Sequence, residues 1–154
     1  MNNKPISPKM HGIIDYTFAA GLLILPSLFG LNKKARNLYK VMAAEMFLYS
    51  SLTNYPAGLS PLIPYETHRK LDVGNIAGMA ADTLYKPIRK QKRAMIFHLV
   101  ATTIAIASVL LTDWKAEPGT SFDNGLEEPE TFVVTEEVIV VVSDENTNDP
   151  SLTT

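Results

Sequence analysis

The chain has 154 residues, 46% of them hydrophobic, a formal net charge of −2 and no cysteine. That length suits about one domain. The lack of cysteine excludes a disulfide framework, a thiol nucleophile and a thiolate metal site. No basic surface interleaved with aromatics points to nucleic acid, which is not expected as a partner.

The mean hydropathy of +0.05 averages two unlike parts. Residues 1–115 are apolar with short, mostly basic connections, and 116–154 form an acidic, polar tail. Lys4 and Lys9 ahead of an apolar run resemble a secretory signal. The run contains Asp15, is long enough to span a bilayer and lacks a small-x-small cleavage site, so a spanning helix is expected instead.

Four helices are predicted, over about 8–30, 37–54, 64–85 and 94–113. The first starts at Ser7, a good N-cap, with Pro8 at the first helical position. At 1.5 Å per residue, Pro8 to Phe29 covers roughly 33 Å, about one hydrocarbon core. Pro26 should kink or end this helix, and Gly30 suits its C-terminal cap. The second helix carries Glu45 near its middle, where an inward hydrogen bond to Tyr49 or His98 would satisfy it. The third contains His68, Asp72, Asn75 and Asp82, and its polarity predicts that the other three helices enclose it. Its Gly74-x-x-x-Gly78 row, like Gly21 in the first helix, suits close helix packing. The fourth is the clearest span, closed by Trp114. The tyrosines 16, 49, 55, 65 and 85 read with Trp114 as interfacial belt residues.

Four spans place the 1–2 and 3–4 connections on one side. Counting Lys and Arg, that side has nine and the other five, so both connections are expected to be cytoplasmic and both termini outside, in an inner (plasma) membrane. In the tail, β-branched residues 132–142 suit a strand, and the remainder has the composition of a disordered segment.

The pattern His-x-x-x-Asp-x-x-x-x-x-Gly occurs twice, at His11, Asp15, Gly21 and at His68, Asp72, Gly78, 57 residues apart. On a helix, i and i+4 share a face, so each copy stacks a histidine on an aspartate. Leu52-Thr53-Asn54-Tyr55 also resembles Leu111-Thr112-Asp113-Trp114. The expected fold is therefore all-α: a four-helix transmembrane bundle of two parallel helical-hairpin repeats. Its first and third helices would be diagonal neighbours, with their motif faces opposed.

His11, Asp15-Tyr16 and Gly21, followed by Pro26-Ser27-Leu28-Phe29-Gly30, resemble the SPW-repeat class of small bacterial integral membrane proteins. The resemblance covers about residues 8–114. The Ser-Pro-Trp signature stands here as Leu25-Pro26-Ser27, and the second copy has Asp82-Thr83-Leu84-Tyr85 in its place. The resemblance implies four membrane helices and brings no activity with it.

Three roles fit His11, Asp15, His68 and Asp72. Each histidine can bond its own aspartate and pin the helix ends. Two facing carboxylates can bring a proton or ion into play, with Glu45 as a further polar group. Two histidines and two aspartates also suit zinc or another divalent cation. No nucleophile–base–oxyanion arrangement and no phosphate-cradling loop occurs, and no cofactor is expected. The reading is a structural or accessory membrane protein without catalysis, with the lipid bilayer, and another membrane protein or a second copy, as partners. The alternative is a small transporter or ion-responsive protein using the His-Asp pairs.

Overall fold

A computed structural model describes residues 4–117. Among them are five helices and no strand: α1 (Pro8–Leu28), α2 (Lys33–Ser51), α3 (Tyr65–Asp82), the single turn α4 (Lys86–Arg89) and α5 (Lys92–Leu111). The acidic tail beyond 117 and the strand expected over 132–142 lie outside the described residues.

Local chemistry sets the helix ends. The Ser7 hydroxyl accepts from the Met10 amide, and Pro8 follows in the first turn. At the far end of α1, Gly30 takes φ +64°. The Leu31 amide then reaches the Pro26 carbonyl at 2.9 Å and the Gly30 amide reaches Ser27 at 3.1 Å. These are the two bonds of a Schellman cap, and buried Leu31 closes it against the core. Helix α2 begins earlier than the basic run suggested, because the Asn32 side chain caps the Ala35 amide and draws Lys33–Arg36 into the first turn.

Helix α1 packs mainly on α2, and α3 on α5, with α4 bridging α2 and α5. The buried apolar core runs through Leu22, Leu31, Ala35, Tyr39, Ala43, Met79, Ile88, Ala94 and Ala101. The His98 ring ties three helices together: Nδ1 accepts from the Tyr39 hydroxyl at 3.0 Å and Nε2–H donates to the Met79 carbonyl at 2.7 Å. At the end of the molecule holding the α1–α2 connection, the Asn32 and Gln91 side chains bond each other at 2.9 Å. Asn32 also donates to the Pro87 carbonyl and Gln91 to the Gly30 carbonyl.

Helices α1 and α5 are each long and apolar enough to cross a membrane. Much of their apolar surface faces outward: Leu23, Ile24 and Leu28 on α1, and Ile96, Leu99, Val100 and Leu110 on α5.

Three expectations about packing are overturned. Helix α3 is not enclosed, since only Tyr65, His68, Asp72 and Met79 are buried along it. Gly74 and Gly78 do not mark a close helix approach, because a Cβ added at either meets nothing within 4 Å. A Cβ at Gly21 meets only Leu25 of its own helix, at 3.6 Å. The reason is angular: His68, Asp72 and Met79 claim the inward stripe of α3, and Gly74, Ala77, Gly78 and Ala81 fall outside it. Among the glycines of the described helices, the one that allows a close approach is Gly12, where a Cβ would run into the Tyr55 ring and Ala57.

Candidate functional site

The four motif residues meet at the end of the molecule opposite the Asn32–Gln91 contact. His11 and His68 are 1% and 0% exposed, Asp15 and Asp72 2% and 5%. The shorter contacts cross between motifs: His11 Nε2 lies 3.0 Å from Asp72 Oδ2, and His68 Nε2 lies 3.0 Å from Asp15 Oδ2. Each histidine is farther from the aspartate on its own helix, 3.6 Å for His11–Asp15 and 3.5 Å for His68–Asp72. The expected bond within each helix is therefore the longer one. Residues four apart stack side by side along one helix face, whereas a side chain from the opposing helix arrives head-on.

Each group in the quartet is held from behind. His11 Nδ1 lies 2.8 Å from Thr112 Oγ1, and His68 Nδ1 lies 2.7 Å from Thr53 Oγ1. Both threonine hydroxyls already donate to the carbonyl four residues back, Thr112 to Ser108 and Thr53 to Tyr49, each at 2.7 Å. Their oxygens can therefore only accept, and each Nδ1 must carry the proton. Ser108 Oγ stands as a further neighbour of His11 Nδ1 at 3.3 Å. Asp15 Oδ2 accepts from the Ser50 hydroxyl at 3.2 Å, and Asp72 Oδ1 from the Tyr49 hydroxyl at 2.9 Å. Asn75 in turn donates to the Tyr49 oxygen at 3.0 Å.

Backbone pairing places the two threonines. Ile6 N donates to the Leu111 carbonyl at 3.2 Å and Asp113 N to the Ile6 carbonyl at 2.8 Å. Ile63 N donates to the Leu52 carbonyl and Asn54 N to the Ile63 carbonyl, both at 2.8 Å. These are two parallel bridges, Ile6 with Thr112 and Ile63 with Thr53, each just ahead of a motif histidine.

Aromatic rings surround the site. The Trp114 ring meets His11 edge-on at 4.7 Å between centroids, and Tyr55 lies 5.4 Å from His68. Tyr65 stands between them, 4.9 Å from Trp114 and 6.2 Å from Tyr55. Tyr49, Tyr55 and Tyr65 are thus buried around the histidines and are not belt residues as expected. Burial first, then the charge of Asp15, pushes the Tyr55 hydroxyl far above the usual tyrosine range, so it stays protonated. On the interior side, Asp15, His11, Asp72 and Asn75 border a cavity of about 40 Å³ whose other walls include Phe18, Leu22, Met42, Met46 and Met79. That is enough for an ordered water.

Glu45 does not join the site. It is exposed on α2, while Tyr49 bonds Asp72 and His98 bonds Tyr39 and Met79. The buried stripe of α2 runs through Ala35, Tyr39, Ala43 and Ser50, and residue 45 sits roughly 125° around the helix from its centre. Sequence reasoning assigned no role to Thr53, Thr112 or Ser50. The signal for the threonines was present in the matched Leu-Thr-Asx-aromatic stretches, one ending each half of the chain.

The arrangement can hold two hairpins together through buried charge-assisted hydrogen bonds. His11, Asp15 and His68 also offer ligand atoms all within 4.8 Å of one another, close enough to share a cation. Comparison with family models, curated proteins and solved structures gives no match to this chain.

Proposed function

We propose that the chain is a small integral membrane protein without catalysis, a structural or accessory component. It is built as a four-helix bundle of two parallel hairpins, α1–α2 and α3–α5, related by an approximate twofold axis along the membrane normal. The observation that carries this reading is the crossed quartet. The strongest polar contacts join His11 to Asp72 and His68 to Asp15, so they tie one hairpin to the other. Positions 57 or 59 apart also play matching parts: Ile6 and Ile63, Thr53 and Thr112, Asn32 and Gln91. Outward-facing leucines, isoleucines and valines on α1 and α5 support contact with lipid. The resemblance to the SPW-repeat class points the same way.

In this reading the quartet lies near the non-cytoplasmic surface and the basic connections, with Lys33, Lys34, Arg36, Lys86 and Arg89, lie inside. The bilayer is one partner. The open Gly74–Gly78 row leaves α3 free to meet a second copy or another membrane protein. Because the chain has no cysteine, single cysteines report topology directly. Leu59→Cys should react with an impermeant thiol reagent on intact cells or spheroplasts, and Lys90→Cys only after permeabilisation. Release of the protein from membranes by alkaline carbonate would refute the membrane reading.

A second reading, a small transporter or ion-responsive protein, is favoured by the cavity that adjoins the buried quartet. It predicts that Asp15→Asn and Asp72→Asn abolish ion flux or affinity while folded protein persists. Equal loss of abundance in both variants would favour the accessory role.

A further inference from the structure

The quartet contains more order than a pair of hydrogen bonds requires. Both Nδ1 atoms carry their protons toward threonine oxygens that can only accept. In a neutral imidazole this leaves Nε2 as a bare lone pair. Both Nε2 lone pairs face carboxylate oxygens, and each aspartate directs one oxygen, Oδ2, at both imidazoles. Four electron-pair donors thus face one another in a ring, into which, among the described residues, only Ser50 donates a hydrogen bond, to Asp15. Four acceptors do not stay together in a buried site without positive charge between them.

We propose that His11, Asp15, His68 and Asp72 form a four-coordinate site for one divalent transition-metal cation, zinc by preference, which clamps the two hairpins together. Three observations carry this. First, a tetrahedral cation with ligands at about 2.0–2.1 Å has neighbouring ligands roughly 3.3–3.4 Å apart. The four N···O separations, 3.0, 3.0, 3.5 and 3.6 Å, bracket that value. His11, Asp15 and His68 form the compact face, with ligand atoms within 4.8 Å of one another, and Asp72 has to draw in from across the two imidazoles to complete the tetrahedron. Second, two carboxylates and two neutral imidazoles balance one dication, which leaves the buried site uncharged. Two borderline nitrogen and two oxygen ligands suit zinc better than calcium or magnesium, which prefer all-oxygen shells. Third, the supporting shell is complete. A threonine oxygen orients each imidazole, and the Ser50 and Tyr49 hydroxyls hold the carboxylates. Trp114, Tyr65 and Tyr55 shield the site.

The inference rests on the quartet being the link between hairpins, not on the membrane topology. A proton on each Nε2 is the competing way to supply the charge, and the experiment separates the two. The full chain, purified in detergent with any affinity tag removed, is incubated with Zn²⁺ or Co²⁺ and freed of excess metal. Metal content is then measured by mass spectrometry, the cobalt form by visible absorption, and unfolding is followed with and without chelator. The expected result is stoichiometric metal, the strong visible bands of tetrahedral cobalt, and earlier unfolding after chelation, all lost in His11→Ala/His68→Ala. Should that variant not fold, Thr53→Val/Thr112→Val keeps all four ligands and is expected to weaken binding roughly 10–100-fold. Folded wild type that retains neither metal overturns the metal site, as does retention undiminished in the histidine variant. If wild type retains no metal but the histidine variant still unfolds earlier, the quartet stands as a proton-bridged link. If stability is also unchanged, the link falls with it.

Discussion

His68→Ala is the sharpest single perturbation of the proposed link, and its neighbour Arg69 supplies the control. His68 is fully buried and makes polar contacts of 2.7 Å to Thr53 and 3.0 Å to Asp15. Truncation leaves Asp15 with the Ser50 hydroxyl at 3.2 Å as its one remaining short partner among the described residues. The more distant His11 stays at 3.6 Å. Removing the partner of a buried carboxylate costs about 3–5 kcal/mol, because its charge remains desolvated. Arg69, one position on, reaches Glu66 at 3.7 Å with both side chains about half exposed. Solvent screening reduces such a pair to about 0–1 kcal/mol. Denaturant titration of the detergent-solubilised protein, followed by far-ultraviolet circular dichroism, should therefore separate two adjacent substitutions on one helix by at least about 2 kcal/mol. A His68→Ala variant within about 1 kcal/mol of Arg69→Ala would refute the claim that the quartet joins the halves.

Other expectations follow from the same geometry. Thr112→Val keeps its volume but leaves the buried His11 Nδ1–H with only Ser108 at 3.3 Å, and should cost about 1–3 kcal/mol in the same titration. Gly12→Ala drives a methyl group into the Tyr55 ring and should cost about 1–3 kcal/mol. Gly74→Ala, facing open space in a helix interior, should instead stabilise by about 0.5–1 kcal/mol. Asn32→Ala removes the α2 cap together with the bonds to Pro87 and Gln91, and at least about 1 kcal/mol should be lost. Glu45→Gln, exposed and outside the site, should change stability by no more than about 0.5 kcal/mol. A large loss there would return Glu45 to the interior.

Much of the helical framework could be read from local chemistry. Ser7-Pro8 and Gly30 mark their helix ends by hydrogen bonds that involve only nearby residues. The apolar runs that became α1 and α5 are visible as composition, and the spacing of the two His-Asp motifs as simple periodicity. Local rules also placed histidine and aspartate on one face of each helix, since that depends only on 3.6 residues per turn.

Which partner each side chain meets was not local information. Whether His11 bonds Asp15 or Asp72 depends on where α3 stands relative to α1, and the crossed arrangement wins because opposing side chains meet end to end. The same dependence on helix rotation turned Gly74 and Gly78 outward, left Glu45 exposed, and made Gly12 the point of close approach. It also recruited Thr53 and Thr112, whose hydroxyls look like ordinary helix-end bonds until the chain folds back and brings an imidazole to each. The sequence by itself determined which residues are polar, roughly where the four long helices lie and that two like motifs exist; the early start of α2 and the single turn α4 were not legible in it. Only the tertiary structure decided that the four motif side chains form a single site, because a contact between residues about 60 positions apart is set by packing rather than by helical repeat.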